Sequence, residues 1–384
     1  MPIAPRATCC PRSPAPMRMS SSAMAETPRV AIVLPRFARY QEQGATSIDL
    51  YARDSVRFST LPGIAVIGPP CGTPFPDGGT YVPVPAGPDW RRQVLRALRT
   101  IKPDVVEVHQ DINLAAWAAR RLKAPVVAIR HNTQKLPKLW VRRFFKNLQW
   151  NAIAAFGFVS EFLRTEFCAA LPDFQGRSHV LYNGIDPEAW APPAAAAREK
   201  LIVYVGRLVP EKGVPELIEA CDRVLGRHPD WRLLILGGNM ADADRNTVAA
   251  AGAFADRRPG QVTIEGPVPH DRLPERLARA AIAAVPSIVL EAFGRTAVEA
   301  MAAGCALVVS RRGGLAEVVA DGTAVIAEPP TAATLEQALE HLIAAPDLRA
   351  DMGARARAAV TGRFSLAASI GHHDQLRRRL GAAD

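Results

Sequence analysis

Short apolar runs recur along the first half of the chain, separated by longer segments of mixed polarity. The first run covers residues 29–34 (RVAIVL), and four more cover residues 63–68, 104–108, 125–130 and 155–159. Apolar runs of this length are typical of strands that are buried on both faces of a parallel sheet. The first half of the chain is therefore predicted to form such a sheet.

The segments between these runs have helical periodicity. Residues 90–102 (WRRQVLRALRTIK) place Trp90, Val94, Leu98 and Ile101 on one face and arginines on the opposite face, as in an amphipathic helix. Strands that alternate with helices of this kind indicate repeated strand–helix–strand units. Such units build a parallel sheet that is covered by helices.

A segment rich in Pro and Ala, residues 187–197 (PEAWAPPAAAA), interrupts this pattern, and the alternation then starts again. Paired prolines and low complexity are typical of a linker. In the second half, strands are predicted over residues 201–205, 232–236, 262–265, 282–285, 305–310 and 323–327, and helices over residues 214–227, 296–303 and 333–344. The pattern predicts an α/β protein with two Rossmann-like domains whose parallel sheets face each other across a ligand-binding cleft.

The composition is that of a globular protein, with 48% hydrophobic and 22% charged residues among 384. It excludes wholesale disorder and a protein with many membrane spans. The formal charge of +10 favours a negatively charged partner, such as a phosphate-bearing small molecule, an anionic lipid or nucleic acid. The six cysteines form no CxxC pair, which argues against a disulfide framework and favours a cytoplasmic location. Residues 1–26 have no continuous apolar segment, so we expect a disordered tail and no signal peptide.

Two cations follow the first strand predicted in the second half. In GRLVPEKG (residues 206–213), Arg207 leaves the carboxyl end of the strand, Lys212 lies in the turn and Gly213 precedes a helix. Two cations beside the amino terminus of a helix can hold a diphosphate without a metal ion. The alternative is a solvated surface loop.

Two carboxylates follow a later strand. In residues 286–304 (PSIVLEAFGRTAVEAMAAG), Glu291 and Gly294 lie in a loop, and Glu299 lies in an otherwise apolar helix. Free amides at the start of a helix can bind an anion or sugar hydroxyls, and a carboxylate can accept hydrogen bonds from ribose hydroxyls. The alternative is that both glutamates are surface charges, although a charge in an apolar helix needs a partner.

With these elements in this order, residues 200–330 resemble the C-terminal domain of the family 4 glycosyltransferases, which have the GT-B fold and include bacterial lipopolysaccharide and cell-envelope enzymes. The matching segments are GRLVPEKG (206–213), LILGG (234–238), EGPV (265–268), EAFG with the Glu291/Glu299 pair, AAGCALVVS (302–310) and GGLAEVVADG (313–322). The first half matches less strongly and ends with NGID (183–186).

The resemblance implies a reaction in which the sugar keeps its anomeric configuration. Arg207 and Lys212, after Gly206, would hold the donor diphosphate and stabilise the negative charge that develops as it leaves. The sequence places no nucleophile for a glycosyl–enzyme intermediate, so front-face displacement is favoured, with the leaving phosphate accepting the proton of the acceptor. The donor is a UDP-, GDP- or ADP-sugar, and the resemblance implies no further cofactor.

The remaining site residues are also implied by the resemblance. Glu299 would bind the ribose hydroxyls, and Val268 would contact the base through its backbone. Glu291 would bind hydroxyls of the transferred sugar, together with the main-chain amides of Phe293 and Gly294.

In the first half, two strand-end loops match the family less closely. Gly44, in EQGAT, resembles the glycine loop that approaches the phosphate and the acceptor, although the family has a glycine pair and this chain has Gln43 before Gly44. His131, in RHNT, matches the histidine that faces the sugar. His109, which also ends a strand, is the competing candidate, and a plain structural role is the alternative for either.

The resemblance implies an acceptor-binding domain over residues 27–186, a linker over 187–198, a nucleotide-sugar-binding domain over 199–362 and a final helix over 363–384 that packs on the first domain. Cations and aromatic residues mix in residues 135–146 (KLPKLWVRRFFK), and residues 90–102 have a basic face. Such segments can lie on anionic membranes, which would suit a lipid-linked acceptor and a peripheral location at the inner face of the cell membrane. The run of arginines 377–379 could add to that surface, or it could belong to the returning helix.

Several other functions are weighed against this interpretation. A dehydrogenase would have GxGxxG after the first strand, where Pro35-Arg36-Phe37 stands instead. A sugar-nucleotide epimerase of the same fold, or a non-catalytic protein that binds nucleotide sugars, stays open. No motif supports nucleic-acid binding. Asp242 and Asp244 form a DxD spacing that other glycosyltransferases use for a metal ion, but a solvated loop is preferred and no metal is expected.

Overall fold

The computed structural model describes residues 29–133, 140–192, 198–237 and 243–382, and for residues 140–142 it describes the backbone alone. The predicted tail over residues 1–26 lies outside this part of the chain. So do residues 193–197 of the Pro/Ala-rich linker, the first residues of the basic aromatic segment, and Asp242 of the DxD spacing.

The first domain is built on a parallel sheet covered by helices. Its strands are β1 (Val30–Val33), β2 (Ala65–Gly68), β3 (Thr80–Pro83), β4 (Val105–His109), β5 (Val126–Arg130), β6 (Ala155–Phe158) and β7 (Ser178–Val180). They lie in the order β3-β2-β1-β4-β5-β6-β7. The helices are α1 (Ser47–Arg57), α2 (Trp90–Ile101), α3 (Ile112–Ala119), α4 (Trp140–Trp150) and α5 (Glu161–Ala170).

The second domain repeats this design. Its strands are β8 (Glu199–Gly206), β9 (Arg232–Gly237), β10 (Val262–Glu265), β11 (Ala280–Val285), β12 (Ala306–Val309) and β13 (Val325–Ile326), in the order β10-β9-β8-β11-β12-β13. The helices are α6 (Val214–Arg227), α7 (Arg245–Arg257), α8 (Leu273–Arg279), α9 (Arg295–Ala302), α10 (Leu315–Val318), α11 (Ala332–Ala344), α12 (Pro346–Arg363) and α13 (Leu366–Gly381).

Each apolar run named above forms a strand of the predicted type, and α2 buries Trp90, Val94 and Leu98 as its periodicity indicates. The pattern missed β3 and β7 because these short strands at the edges of the sheet are only partly buried. An edge strand needs fewer apolar residues than a central one, so its sequence is harder to distinguish from a loop. The predicted two-domain α/β fold is confirmed, whereas the exact domain boundaries stay a prediction.

Both sheets reverse their strand order beside their first strand. In the first sheet the reversal lies between β1 and β4, and in the second it lies between β8 and β11. Loops that leave the carboxyl ends of two such neighbouring strands diverge and open a crevice, which is where ligands bind in doubly wound sheets. The predicted cations follow β8 and the predicted carboxylates follow β11, so both groups lie at this point.

The last helix returns to the first domain, as the resemblance implies. Before it, the carbonyl of Phe364 accepts a hydrogen bond from the N–H of Ile185 at 2.8 Å. In α13, Arg377 forms an ion pair with Glu107 of β4 at 2.8 Å, and Asp374 accepts a hydrogen bond from the N–H of Thr60 at 2.7 Å. The suggestion that arginines 377–379 form a membrane surface is therefore wrong for Arg377, whose side chain is 0% exposed.

Candidate active site

The turn after β8 approaches the segment after β11 closely. Lys212 ends a short 3₁₀ turn, and Gly213 follows with φ +72°, a left-handed conformation that side chains disfavour. A Cβ atom on Gly213 would lie 2.1 Å from the carbonyl oxygen of Pro286. Glycine is therefore required for this approach, which brings Lys212 to the loop that contains Glu291.

Lys212 and Glu291 form an ion pair. The Lys212 Nζ lies 2.6 Å from Glu291 Oε1, and the two side chains are 23% and 16% exposed. The hydroxyl of Ser287 donates to the same carboxylate oxygen. Two of the predicted site residues therefore contact each other. Because both side chains are partly exposed to solvent, an incoming anion could replace the carboxylate as the partner of Lys212.

Arg207 lies directly after the end of β8, as predicted. Its side chain is 39% exposed, and one guanidinium nitrogen lies 4.0 Å from Glu211, the limit of an ion pair. The hydroxyl of Tyr204 donates to the carbonyl of Arg207 at 2.8 Å, which fixes the backbone at Gly206 and Arg207. A partly exposed guanidinium on a fixed backbone is suited to binding a phosphate from solvent.

Glu299 is buried on α9 and has two partners. His270 Nε2 lies 2.8 Å from Glu299 Oε1, and Arg295 donates to the same oxygen from Nε at 2.9 Å. Burial acts to raise the pKa of Glu299, but the hydrogen bonds from His270 and Arg295 outweigh burial and hold it below its usual value. Glu299 is therefore a carboxylate at neutral pH, and the alternative that it is a surface charge is wrong.

Sequence reasoning missed both partners of Glu299. Arg295 lies four residues before Glu299, the spacing of an ion pair on one helix face, so a signal was present. His270 lies in the turn after β10, and nothing in its local pattern indicated this contact. His270 also follows Val268 by two residues, so it links the predicted base-contacting segment to the predicted ribose carboxylate.

The amino terminus of α9 is shaped by Gly294. This residue has φ +108°, and a Cβ atom there would lie 2.6 Å from the Leu315 side chain. The helix has no side-chain N-cap, so the amides of its first turn are not occupied by a capping group. Phe293 points its ring into the core, 3% exposed, and packs on Tyr182 and Phe364. The main chain of Phe293 and Gly294 is thus the part that could serve a ligand.

In the first domain, Gly44 lies in the loop between β1 and α1, with φ +75°. Two residues later, Thr46 and Asp49 form a reciprocal capping box that starts α1. The loop therefore leads directly into a helix, as a glycine loop of this family is expected to do.

His131 and His109 are neighbours. His131 Nε2 lies 3.0 Å from His109 Nδ1, and the two rings are stacked. With His373 of α13 and Tyr51 of α1, whose hydroxyl lies 3.0 Å from His373 Nε2, they form a group that we term the histidine cluster. His131 is 6% exposed and His109 is fully buried. Within the described part of the chain, His109 Nε2 has no hydrogen-bond partner.

The histidines of this cluster are neutral. Burial and then Arg377 lower the pKa of His109 to about 3. Burial, His109 and Arg130 lower the pKa of His131, and burial followed by Arg377 lowers the pKa of His373 to about 3. A neutral imidazole at a strand end can exchange a hydrogen bond with a sugar hydroxyl, whereas it cannot supply a positive charge there.

Asp244, the described residue of the DxD spacing, has a structural role. It is the N-cap of α7 and accepts a hydrogen bond from the N–H of Thr247 at 2.8 Å.

On α4, the side chains of Phe144, Phe145 and Leu148 are exposed together on one side. Within the described residues, no helix combines the length and apolar content that a membrane span requires.

Sequence comparison matches both halves of the chain to known families. The model of the glycosyl transferases group 1 matches residues 188–359, and that of Glycosyltransferase Family 4 matches residues 47–189. A putative glycosyltransferase, YtcC of Bacillus subtilis, is 28% identical over 261 residues, which is 63% of this chain and 64% of YtcC. The alpha-maltose-1-phosphate synthase of Mycolicibacterium smegmatis is 29% identical over 287 residues, 69% of this chain and 70% of the synthase.

Comparison of structures supports the same fold. The crystal structure of Anabaena Alr3699/HepE in complex with UDP superposes with a TM-score of 0.76 and 18% identity, covering 91% of this chain and 99% of that one. The alignment with YtcC spans just under two thirds of that relative's length.

Proposed function

The chain belongs to the family 4 glycosyltransferases, and we propose that it transfers a hexose or a related sugar from a nucleotide-sugar donor to a glycan or lipid-linked acceptor. The donor is a UDP-, GDP- or ADP-sugar, and the transferred sugar keeps its anomeric configuration. The cell process that fits is the synthesis of envelope polysaccharide or lipopolysaccharide.

One observation supports this proposal above the others: the Lys212–Glu291 ion pair at the strand-order reversal of the second sheet. A cation for the diphosphate and a carboxylate for the sugar must lie next to each other, because the bond to be broken joins these two parts of the donor. Arg207 adds a second cation at the carboxyl end of β8. Glu299 adds a second carboxylate, in contact with His270 of the turn after β10.

The proposed reaction follows from the charges of these groups. Breaking the bond between the anomeric carbon and phosphate leaves negative charge on the diphosphate, which Arg207, Lys212 and the amides of α9 stabilise. Glu291, with the main chain of Phe293 and Gly294, holds the sugar hydroxyls, and neutral His131 faces the same sugar from the first domain. The leaving phosphate oxygen accepts the proton of the acceptor hydroxyl as that hydroxyl attacks from the same face.

The nucleotide part of the donor would contact the other residues. Glu299 accepts hydrogen bonds from the ribose hydroxyls, and Val268 meets the base through its backbone. Gly44, in the loop before α1, lets the first domain approach the phosphate. The crystal structure of HepE with UDP is consistent with nucleotide binding by this fold.

A lipid-linked acceptor fits the surface of the first domain. Phe144, Phe145 and Leu148 of α4 are exposed together, whereas the ammonium of Lys146 contacts Asn113, Gln149 and the Trp150 ring. An exposed apolar strip in a basic segment can insert at the surface of an anionic bilayer. We therefore place the enzyme at the inner face of the cell membrane as a peripheral protein.

The deciding experiment is a panel of UDP-, GDP- and ADP-sugars, tested first by thermal shift and then by release of the free nucleotide. One nucleotide class should raise the melting temperature, and its sugar should be consumed only when an acceptor is present. Consumption without acceptor would favour an epimerase, and no binding of any member would contradict the proposed function.

A further inference from the structure

Charged side chains from both domains meet where α1 faces α9. Arg295, the first residue of α9, donates from Nη2 to Oδ2 of Asp54 in α1 at 3.4 Å and from Nε to Oε1 of Glu299 at 2.9 Å. The three side chains are 17%, 4% and 5% exposed. A single guanidinium is therefore shared between a carboxylate of the first domain and a carboxylate of the second.

The groups around this guanidinium balance its charge. The other oxygen of Asp54 forms an ion pair with Arg53 at 2.6 Å, and Glu299 has the additional contact with His270. Removing one member of a buried charged group leaves its partner uncompensated, which is strongly unfavourable. The position of Arg295 therefore depends on both carboxylates, although they belong to different domains.

The contacts of Glu299 leave room for a ligand. Both of its hydrogen bonds, from Arg295 and from His270, end on Oε1. A ribose hydroxyl that takes Oε2 leaves Arg295 in place. Nucleotide binding at Glu299 is thus compatible with the contact between Arg295 and Asp54. Both favour the orientation in which the Arg295 guanidinium lies between the two carboxylates.

We propose that Arg295 is a positioning residue through which Asp54, a residue of the first domain, strengthens nucleotide binding at Glu299 of the second. This inference rests on the proposed function, because it needs Glu299 as the ribose acceptor. Coupling between two sites is reciprocal. A nucleotide bound at Glu299 therefore strengthens the contact between α1 and α9 by the same factor as that contact strengthens nucleotide binding.

The test is a double-mutant cycle with Asp54→Asn and Arg295→Gln, in which binding of UDP, GDP and ADP is measured by titration calorimetry. Asp54→Asn should weaken binding roughly fivefold or more, and Arg295→Gln should weaken it at least as much. The double variant should bind like Arg295→Gln alone, because the two residues act through one contact. Asp54→Glu should recover part of the loss.

Asp104→Asn is the matched control. Asp104 is also an acid of the first domain in an ion pair, with Arg29, but that pair is exposed. This variant should bind nucleotide like the wild type. Hydrogen exchange supplies a second measurement: nucleotide should slow exchange of the amides of α1 in the wild type but not in Arg295→Gln. This measurement decides the matter if Asp54→Asn does not fold.

The outcomes separate the two proposals. If the wild type binds none of the three nucleotides, the proposed function fails and this inference fails with it. If the wild type binds one of them and Asp54→Asn binds it equally well, or if the two substitutions add independently, the coupling through Arg295 is wrong while the proposed function stands.

Discussion

Two groups of ionisable residues in this protein are built in opposite ways. In the first domain, the histidine cluster and the neighbouring Arg377 are almost fully buried, and their partners come from distant parts of the chain. In the second domain, Arg207 and Lys212 keep 39% and 23% of their side-chain surface, and Lys212 is paired with another predicted site residue. The first group is fixed by burial, whereas the second can exchange its partners for a ligand.

The difference follows from the free energy of moving a charge. A buried ion pair loses several kcal/mol of hydration for each ion, so it persists only with good geometry and leaves little freedom to rearrange. A pair near the surface contributes about 0–1 kcal/mol, which a bound diphosphate can easily exceed. We therefore expect substitutions in the first group to lower stability and substitutions in the second to lower activity.

The largest effect should come from Arg207→Ala combined with Lys212→Ala. Loss of one donor to a developing negative charge raises the barrier by about 3 kcal/mol, so the pair together should lower kcat roughly 10⁴-fold. The measurement is single-turnover transfer with the donor that the panel identifies. The melting temperature should change little, because the two side chains are partly exposed.

Lys200→Ala is the control for this pair. Lys200 is the second residue of β8, the strand that Arg207 follows, and its ion pair with Asp230 is exposed at the opposite end of that strand. Its turnover should match the wild type. Near-normal turnover in the double variant would show that the cations do not stabilise the leaving group, and unfolding of that variant would break the contrast between the two regions.

The next effect concerns stability. Arg377→Leu removes the cation that Glu107 and Asp374 share, at 2.8 Å and 3.0 Å, and leaves two buried carboxylates without it. We expect the free energy of unfolding to fall by about 4 kcal/mol, measured by urea denaturation. Arg379→Leu, two residues further along but exposed, should change it by less than about 0.5 kcal/mol. Equal losses in both variants would contradict the assignment of Arg377 as the buried anchor of α13.

A site is predicted well from the sequence when its residues lie close together along the chain. Arg207, the turn and the helix over residues 214–227 form one continuous segment, and the helix has the predicted bounds. Glu291 and Glu299 likewise lie in one loop and the helix that follows it. Their environment is set by the ends of strands, which hydrophobic periodicity locates well.

The histidine cluster could not be predicted in this way. Its members are Tyr51, His109, His131 and His373, which are brought together only when α1 and α13 pack against the strand ends. The sequence presents His109 and His131 as alternatives because periodicity places each at a strand end but says nothing about their separation. The prediction of a basic surface at arginines 377–379 fails for the same reason. The side chain of Arg377 points inward once α13 packs against the first domain.

The pH dependence of stability sharpens the contrast further. The three cluster histidines have lowered pKa values in the folded protein, about 3 for His109 and His373, and about 6.5 when unfolded. Below pH 6.5 the unfolded chain therefore binds more protons, and the free energy of unfolding falls as the pH decreases toward 3. Between pH 7 and pH 6 the three histidines should together remove about 2 kcal/mol.

Two variants on α13 test this slope by urea denaturation at several pH values. His373→Gln should reduce the loss between pH 7 and pH 6 by about 0.7 kcal/mol, one third of the expected total. His372→Gln changes an adjacent exposed histidine and should leave the slope as it is. The same slope in wild type and His373→Gln would mean that the cluster is not held neutral.

A much smaller effect than that of the two cations should come from Glu299→Gln, a buried residue of the second-domain site. Glutamine keeps the shape but turns a charge-assisted hydrogen bond to ribose into a neutral one, a loss of about 1.4 kcal/mol or roughly tenfold in nucleotide affinity. Calorimetry with a nucleotide and its 2′-deoxy form distinguishes this from a general disturbance: the wild type should bind the deoxy form more weakly, and the variant should show a much smaller difference. Glu275→Gln, which changes an exposed glutamate of α8, should behave like the wild type.

If the 2′-deoxy nucleotide loses the same affinity in the wild type and in Glu299→Gln, the carboxylate does not contact the ribose. Glu299 would then belong with the buried structural charges of the first domain.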